Sequence, residues 1–202
     1  MTALQNCLTY FRAKLRKVVC PVDEVCDSVP QESSVFDLGC GTGAMLLELI
    51  KTRHVRVVGG SEVSPTLLEA ARIAVEKELN VPGSFIEATM PPPCISEFDC
   101  VTLIDVLHHI PKDKQAAYLK QATASMKPGA RFVLKDIDAS SLLVWFNRLH
   151  DAVFAGNGFQ EVGLAEAERM VSDSGLALEN SRWVRKLWYP HYFIIARKPL
   201  SK

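Results

Sequence analysis

Asp37-Leu38-Gly39-Cys40-Gly41-Thr42-Gly43 sits between the apolar Val35-Phe36 and the run Ala44-Met45-Leu46-Leu47-Glu48-Leu49-Ile50. The first flank reads as the end of a buried strand and the second as the opening turns of a buried helix. Three glycines at alternate positions permit backbone angles and a closeness of approach that a Cβ would block. The helix start behind them offers unpaired N–H groups and the positive end of a dipole. A strand, a glycine turn and a helix in this order form a cradle for a small cofactor, with an acid at its entrance.

That acid decides between cofactors. Gly39-x-Gly41-x-x-Ala44 satisfies the dinucleotide fingerprint, and Glu62 stands near the position expected to bind a ribose. A pyrophosphate beside Asp37 would be repelled, several-fold more strongly in a poorly solvated pocket than in water. S-adenosylmethionine carries an ammonium and a sulfonium and reverses the sign of that interaction. Its ribose diol suits a carboxylate such as Glu62. The residues favour S-adenosylmethionine over a nicotinamide dinucleotide, which stands as the rival.

Outward from the loop, strand and helix patterns alternate from Ser33, the signature of parallel strands joined by right-handed crossovers. Strands are expected over 34–38, 55–60, 84–88, 98–104 and 131–137, with helices over 43–53, 65–79 and 112–126. Ser64-Pro65 is a helix entry, Pro111 opens the next helix in the same way, and Lys127-Pro128-Gly129 is a stop followed by a turn. Leu4 to Val19 reads as an amphipathic leading helix, 142–154 and 161–174 as later helices, and 176–187 with 191–197 as an antiparallel hairpin. The chain is read as one domain: a helical cap over 1–30, a cofactor-binding core over 31–138, and substrate-side helices with the hairpin over 139–202.

Bulk composition narrows the partners. The 202 residues are 48% hydrophobic, enough for one sizeable core. Lys plus Arg and Asp plus Glu number 23 each, so no broad attraction to nucleic acid or an anionic membrane is expected. No apolar run reaches the roughly 18 residues of a spanning helix, and neither end has a signal-peptide layout, which points to the cytoplasm. The six cysteines show no zinc spacing, and no metal is expected.

Four pieces in this order resemble the class I S-adenosylmethionine-dependent methyltransferases. They are Asp37 to Gly43, then Val57 to Pro65 with the following helix, then Phe98 to Ile110, then Met126 to Leu134. The resemblance runs over roughly residues 34–137. It implies a Rossmann-like α/β sandwich with a mostly parallel seven-stranded sheet and an antiparallel edge hairpin. It implies cofactor contacts from Asp37, Gly39, Cys40, Gly41, Gly43 and Glu62, with Val63, Asp105 and Val106 beside them. In one respect the chain departs from the pattern: Thr89 stands where the family places an Asp against the adenine.

Methyl transfer to a phenol or amine also needs a base. His108 and His109 follow the fourth strand, His150 lies on a later helix, and these three are the catalytic candidates. Tyr189 with His191 forms a weaker group, and His54 closes a helix. Lys135-Asp136-Ile137-Asp138, Trp145 to Asp151 and Leu187 to His191 also resemble methyltransferases of aryl polyene pigment pathways. That likeness implies a phenolic ring as acceptor, free or on an acyl carrier protein, methylated at a ring carbon beside the phenolate. Another small metabolite such as a quinone precursor or lipid, and a scaffold that binds the cofactor without transfer, are the alternatives.

Overall fold

The computed structural model describes residues 20–79, 83–139, 160–187 and 189–200. Among these, seven strands form one sheet in the order β3-β2-β1-β4-β5-β7-β6. In chain order the elements are α1 (Val22–Ser28), β1 (Ser34–Leu38), α2 (Ala44–Arg53), β2 (Val57–Glu62), α3 (Pro65–Leu79), β3 (Ser84–Glu87), β4 (Cys100–Ile104), α4 (Lys112–Ser125), β5 (Arg131–Ile137), α5 (Leu164–Asp173), β6 (Ala177–Lys186) and β7 (Tyr189–Arg197). Short 3-10 turns cover Pro93–Glu97 and Leu107–His109. The strands from β3 to β5 are parallel, and β7 lies antiparallel between β5 and β6. The mostly parallel sheet with an antiparallel edge hairpin is therefore present as expected.

Alternation along the strands sorts the core onto two faces. Phe36, Leu38, Val101, Leu103, Phe132, Leu134 and Tyr192 pack with Tyr118, Leu119 and Val171 from α4 and α5. Val35, Cys100, Val133 and Phe193 pack with Val25, Leu46, Leu49 and Val75 from α1, α2 and α3. Strands buried on both faces explain why β1, β4 and β5 read as largely apolar runs rather than alternating ones. The few polar residues inside them therefore stand out.

Several boundaries differ from expectation. β2 begins at Val57 because that residue pairs with Ser34, the first residue of β1, and it runs on to Glu62 through pairing with β3. The helix expected from Glu161 begins only at Leu164, since the Val162 carbonyl accepts the Ala139 N–H and Gly163 is still extended. Pro111 is the cap of α4 rather than its first residue. α1 was not foreseen as a separate helix; it follows Pro21 and has Asp23 and Glu24 in its first turn, where acids favour the helix. The expected helices over 4–19 and 142–154 lie outside the described residues.

Candidate active site

The carboxyl ends of β1, β2, β4 and β5 meet at one edge of the sheet, where open α/β folds bind ligands. The loop after β1 turns through Gly39, Gly41 and Gly43, at φ 76°, 55° and 76°. It is laced to β2: the Gly39 and Cys40 N–H groups both donate to the Ser61 carbonyl, at 2.8 and 2.9 Å. A Cβ on Gly39 would lie 2.5 Å from Val106 Cγ2, so the glycine is required by packing as well as by φ.

Glu62 ends β2 and closes the cradle. Gly41 N–H donates to its Oε2 at 3.0 Å, while Val63 and Ser64 N–H donate to Oε1 at 2.9 and 3.1 Å. The carboxylate is thus fixed in orientation beside the glycine turn, with lone pairs left for a vicinal diol. The next residue, Val63, is 60% exposed, and Met90 beyond β3 is another exposed apolar side chain. Both follow the carboxyl ends of the adjacent strands β2 and β3, as does the exposed Thr89.

Asp37 does not stand at the mouth of the loop; it is buried. β1 and β4 place it directly opposite Thr102, whose hydroxyl donates to Asp37 Oδ1 at 2.6 Å. Burial magnifies the argument from its charge, because a carboxylate in this setting favours a cation nearby and opposes a phosphate. Cys40 in the same loop is buried, and that burial pushes its thiol far above the ordinary range, with Asp37 and Glu62 adding to the shift. It is placed as packing, not as a nucleophile.

The loop after β4 holds the remaining candidates. Asp105 is a non-glycine residue at φ 57°. Its Oδ1 receives the Lys135 ammonium at 2.5 Å, and its N–H donates to the Lys135 carbonyl at 2.9 Å. His108 N–H donates to Asp136 Oδ2 at 3.1 Å, and His108 Nδ1 lies 2.5 Å from Asp136 Oδ1. Asp136 is 1% exposed and also accepts the Ile137 N–H at 2.7 Å. A buried carboxylate in this position fixes the proton of His108 on Nδ1 and leaves Nε2 as the basic nitrogen.

His109 is exposed, and its ring packs against His108 with centroids 4.0 Å apart. His191 is buried and pairs with Ile137, which puts it on the opposite sheet face from Asp136; its ring stacks with Tyr189 at 6.2 Å. The fold therefore does not bring His191 to His108. His54 caps α2 in the left-handed conformation, at the opposite end of that helix from the glycine turn. His150, Trp145, Phe146 and Trp188 lie outside the described residues. Lys135, Asp136 and Thr102 are the partners that sequence reasoning did not assign. Their signal was polarity inside buried strands. Among the described residues no cluster of three or more His, Cys, Asp or Glu side chains could hold a metal. Nor is any described helix long and apolar enough to cross a membrane.

A family model described as a methyltransferase domain matches residues 11–181. A carboxy-S-adenosyl-L-methionine synthase of Erwinia tasmaniensis is 28% identical over 155 residues, covering 72% of this chain and 61% of that protein. A ubiquinone biosynthesis O-methyltransferase of Coxiella burnetii is 28% identical over 105 residues, covering 52% and 43%. The chain thus spans less than two thirds of the length of these curated relatives. The magnesium protoporphyrin IX methyltransferase of Synechocystis PCC 6803, solved with bound SAH, superposes with a TM-score of 0.66. It is 18% identical, with 98% of this chain and 88% of that one covered, a likeness of fold.

Proposed function

The chain belongs to the methyltransferase domain family, and on that premise we propose that it methylates a phenolic small molecule, with His108 as the base that ionises the acceptor. S-adenosylmethionine is its cofactor. When bound, that cofactor supplies an electrophilic methyl group on a sulfonium, whose loss leaves a neutral thioether.

The observation that carries the reading is the His108–Asp136 pair. In this assignment Glu62 would hold the ribose diol, Val63 and Thr89 would flank the adenine, and the glycine turn with Val106 would enclose the methionine part. Asp37 contributes a fixed negative charge beneath the turn. His108 Nε2 takes the phenol proton, and Asp136 orients the ring and stabilises the imidazolium. Proton removal leaves a phenolate whose oxygen and adjacent ring carbon are both nucleophilic. As the C–S bond breaks, transfer would form a C–O bond, or a C–C bond followed by loss of the ring proton from that carbon to solvent, while the phenol proton rests on His108 until solvent receives it. A placed base contributes about 10²–10⁴-fold. Alignment of acceptor and methyl carbon contributes several kcal/mol more.

Support for an acceptor that must lose a proton comes from the His108–Asp136 pair and from the O-methyltransferase among the relatives. The phenolic head ring of a polyene precursor on an acyl carrier protein is the acceptor to which the C-terminal sequence resemblance leads. The test supplies free phenols, the same ring as a carrier thioester, and a quinone-precursor catechol, and follows labelled methyl into product. His108→Ala and Asp136→Asn should each slow transfer at least a hundredfold while SAH affinity stays within twofold. Product NMR assigns the methyl to oxygen or carbon. Full activity in His108→Ala would remove the proposed base, and carrier-independent turnover would remove the carrier.

A further inference from the structure

Lys135 is unusual for where it stands. The residue is 1% exposed, in the interior of the sheet between Ile104 of β4 and Phe193 of β7. Those neighbours, with Val133 two residues earlier, are part of an apolar cluster that a leucine or methionine would extend. An ammonium there carries a desolvation penalty of several kcal/mol unless it is well paired. Among the described residues it is paired with Asp105 twice: ammonium to carboxylate, and carbonyl to N–H. Asp105 in turn is held in a left-handed conformation that costs a non-glycine residue about 1–2 kcal/mol.

The neighbouring residue, Asp136, points to the other face and grips His108 by both its N–H and its ring. Consecutive residues of β5 therefore clasp the 105–109 segment at two points and from opposite faces of the sheet. Between those points lies Val106, the side chain that meets Gly39. The segment thus forms one wall of the glycine turn and also carries the histidine.

We propose that Lys135 is a positioning residue: its buried ammonium holds Asp105 in the left-handed conformation and so sets Val106 against the cofactor turn and His108 against Asp136. The cofactor half of this statement is independent of the base assignment; the His108 half rests on the proposed function. Lys135 itself is buried. It acts through the segment it holds.

The experiment compares Lys135→Met with Val133→Ala, a cavity-forming change on the same strand and face that leaves the clasp intact. Calorimetry measures SAH affinity, and imidazole ¹⁵N shifts report which nitrogen of His108 carries the proton. Lys135→Met should weaken SAH binding about tenfold and convert His108 from the Nδ1–H tautomer to a mixture. Val133→Ala should lower the melting temperature with affinity within twofold and the tautomer unchanged. If Lys135→Met does not fold, Lys135→Gln, which keeps a donor without the charge, is expected to show the same two changes. Wild-type affinity and tautomer in the folded variant would overturn the proposal. Neither readout requires turnover, so they stand even if His108→Ala is found to be fully active, an outcome that would sink the base assignment alone.

Discussion

Gly39→Ala isolates the contact on which the cradle turns. The new Cβ would lie 2.5 Å from Val106 Cγ2 and 3.1 Å from Cγ1, so Val106 must retreat by about an ångström to reach ordinary contact. At φ 76° the alanine also carries the left-handed penalty of about 1–2 kcal/mol. Overpacking of a fixed side chain adds about 1–3 kcal/mol. The total is about 2–5 kcal/mol. Gly41→Ala is the internal control: its φ is 55°, yet nothing lies within 4 Å of its Cβ, so only the conformational part applies.

For a domain of this size each kcal/mol moves the melting temperature by about 2–4 °C. Differential scanning fluorimetry should therefore find Gly39→Ala about 10 °C below wild type and Gly41→Ala about 4 °C below. Gly39→Ala/Val106→Ala should regain much of the difference, because the clash is gone while the backbone penalty stays. SAH affinity should fall at least tenfold in Gly39→Ala, since Val106 is displaced into the cradle wall. Equal melting of the two single variants, or a double variant no better than Gly39→Ala, would refute the packing argument and leave only the requirement on φ.

Two further changes probe the strands beneath the site. Thr102→Val removes the hydroxyl that donates to the buried Asp37 carboxylate, and a hydrogen bond to a charged group is worth about 1.5–3 kcal/mol; urea unfolding should show that loss, and an unchanged midpoint would contradict it. Asp99 is held at about 2, below its ordinary 3.8, first by the Lys127 ammonium and then by the Ser34 N–H and hydroxyl. A depressed carboxylate contributes stability that is present above its unfolded value and lost as pH falls through the folded one. Asp99→Asn should therefore flatten the wild-type loss of stability between about pH 4 and 2, by a small amount because the side chain is half exposed. Parallel urea-midpoint curves for the two proteins across that window would count against the pairing.

The parts of the fold that were legible are those where local pattern and tertiary pairing agree. β1 and β5 have the expected bounds, since β1 runs into the glycine turn and β5 starts just after the Lys127-Pro128-Gly129 stop. β2 was displaced by two residues because its start is set by the partner strand, not by its own apolar content. In the candidate site, the placement of the glycines and Glu62 at one turn was readable from residue type and spacing, and that of His108 from its position after the fourth strand. Its partner was not, because Asp136 lies 28 residues away and reaches His108 only through the parallel pairing of β4 with β5.

The same physics explains why Asp37 was misplaced and how its partner could be sought. Sequence position put the acid at the mouth of the loop, but the last residues of β1 are still in register with β4, so the side chain turns into the sheet towards Thr102. In strands buried on both faces, a polar side chain is costly unless another reaches it, and the shortest route is across one strand spacing. Asp37 with Thr102 and Lys135 with Asp105 follow that rule between neighbouring strands or the loops that extend them, and Asp136 with His108 follows it one turn further on. Each polar residue in the central strands thus points to a partner at the same height, and three such pairs converge at the carboxyl ends of the strands.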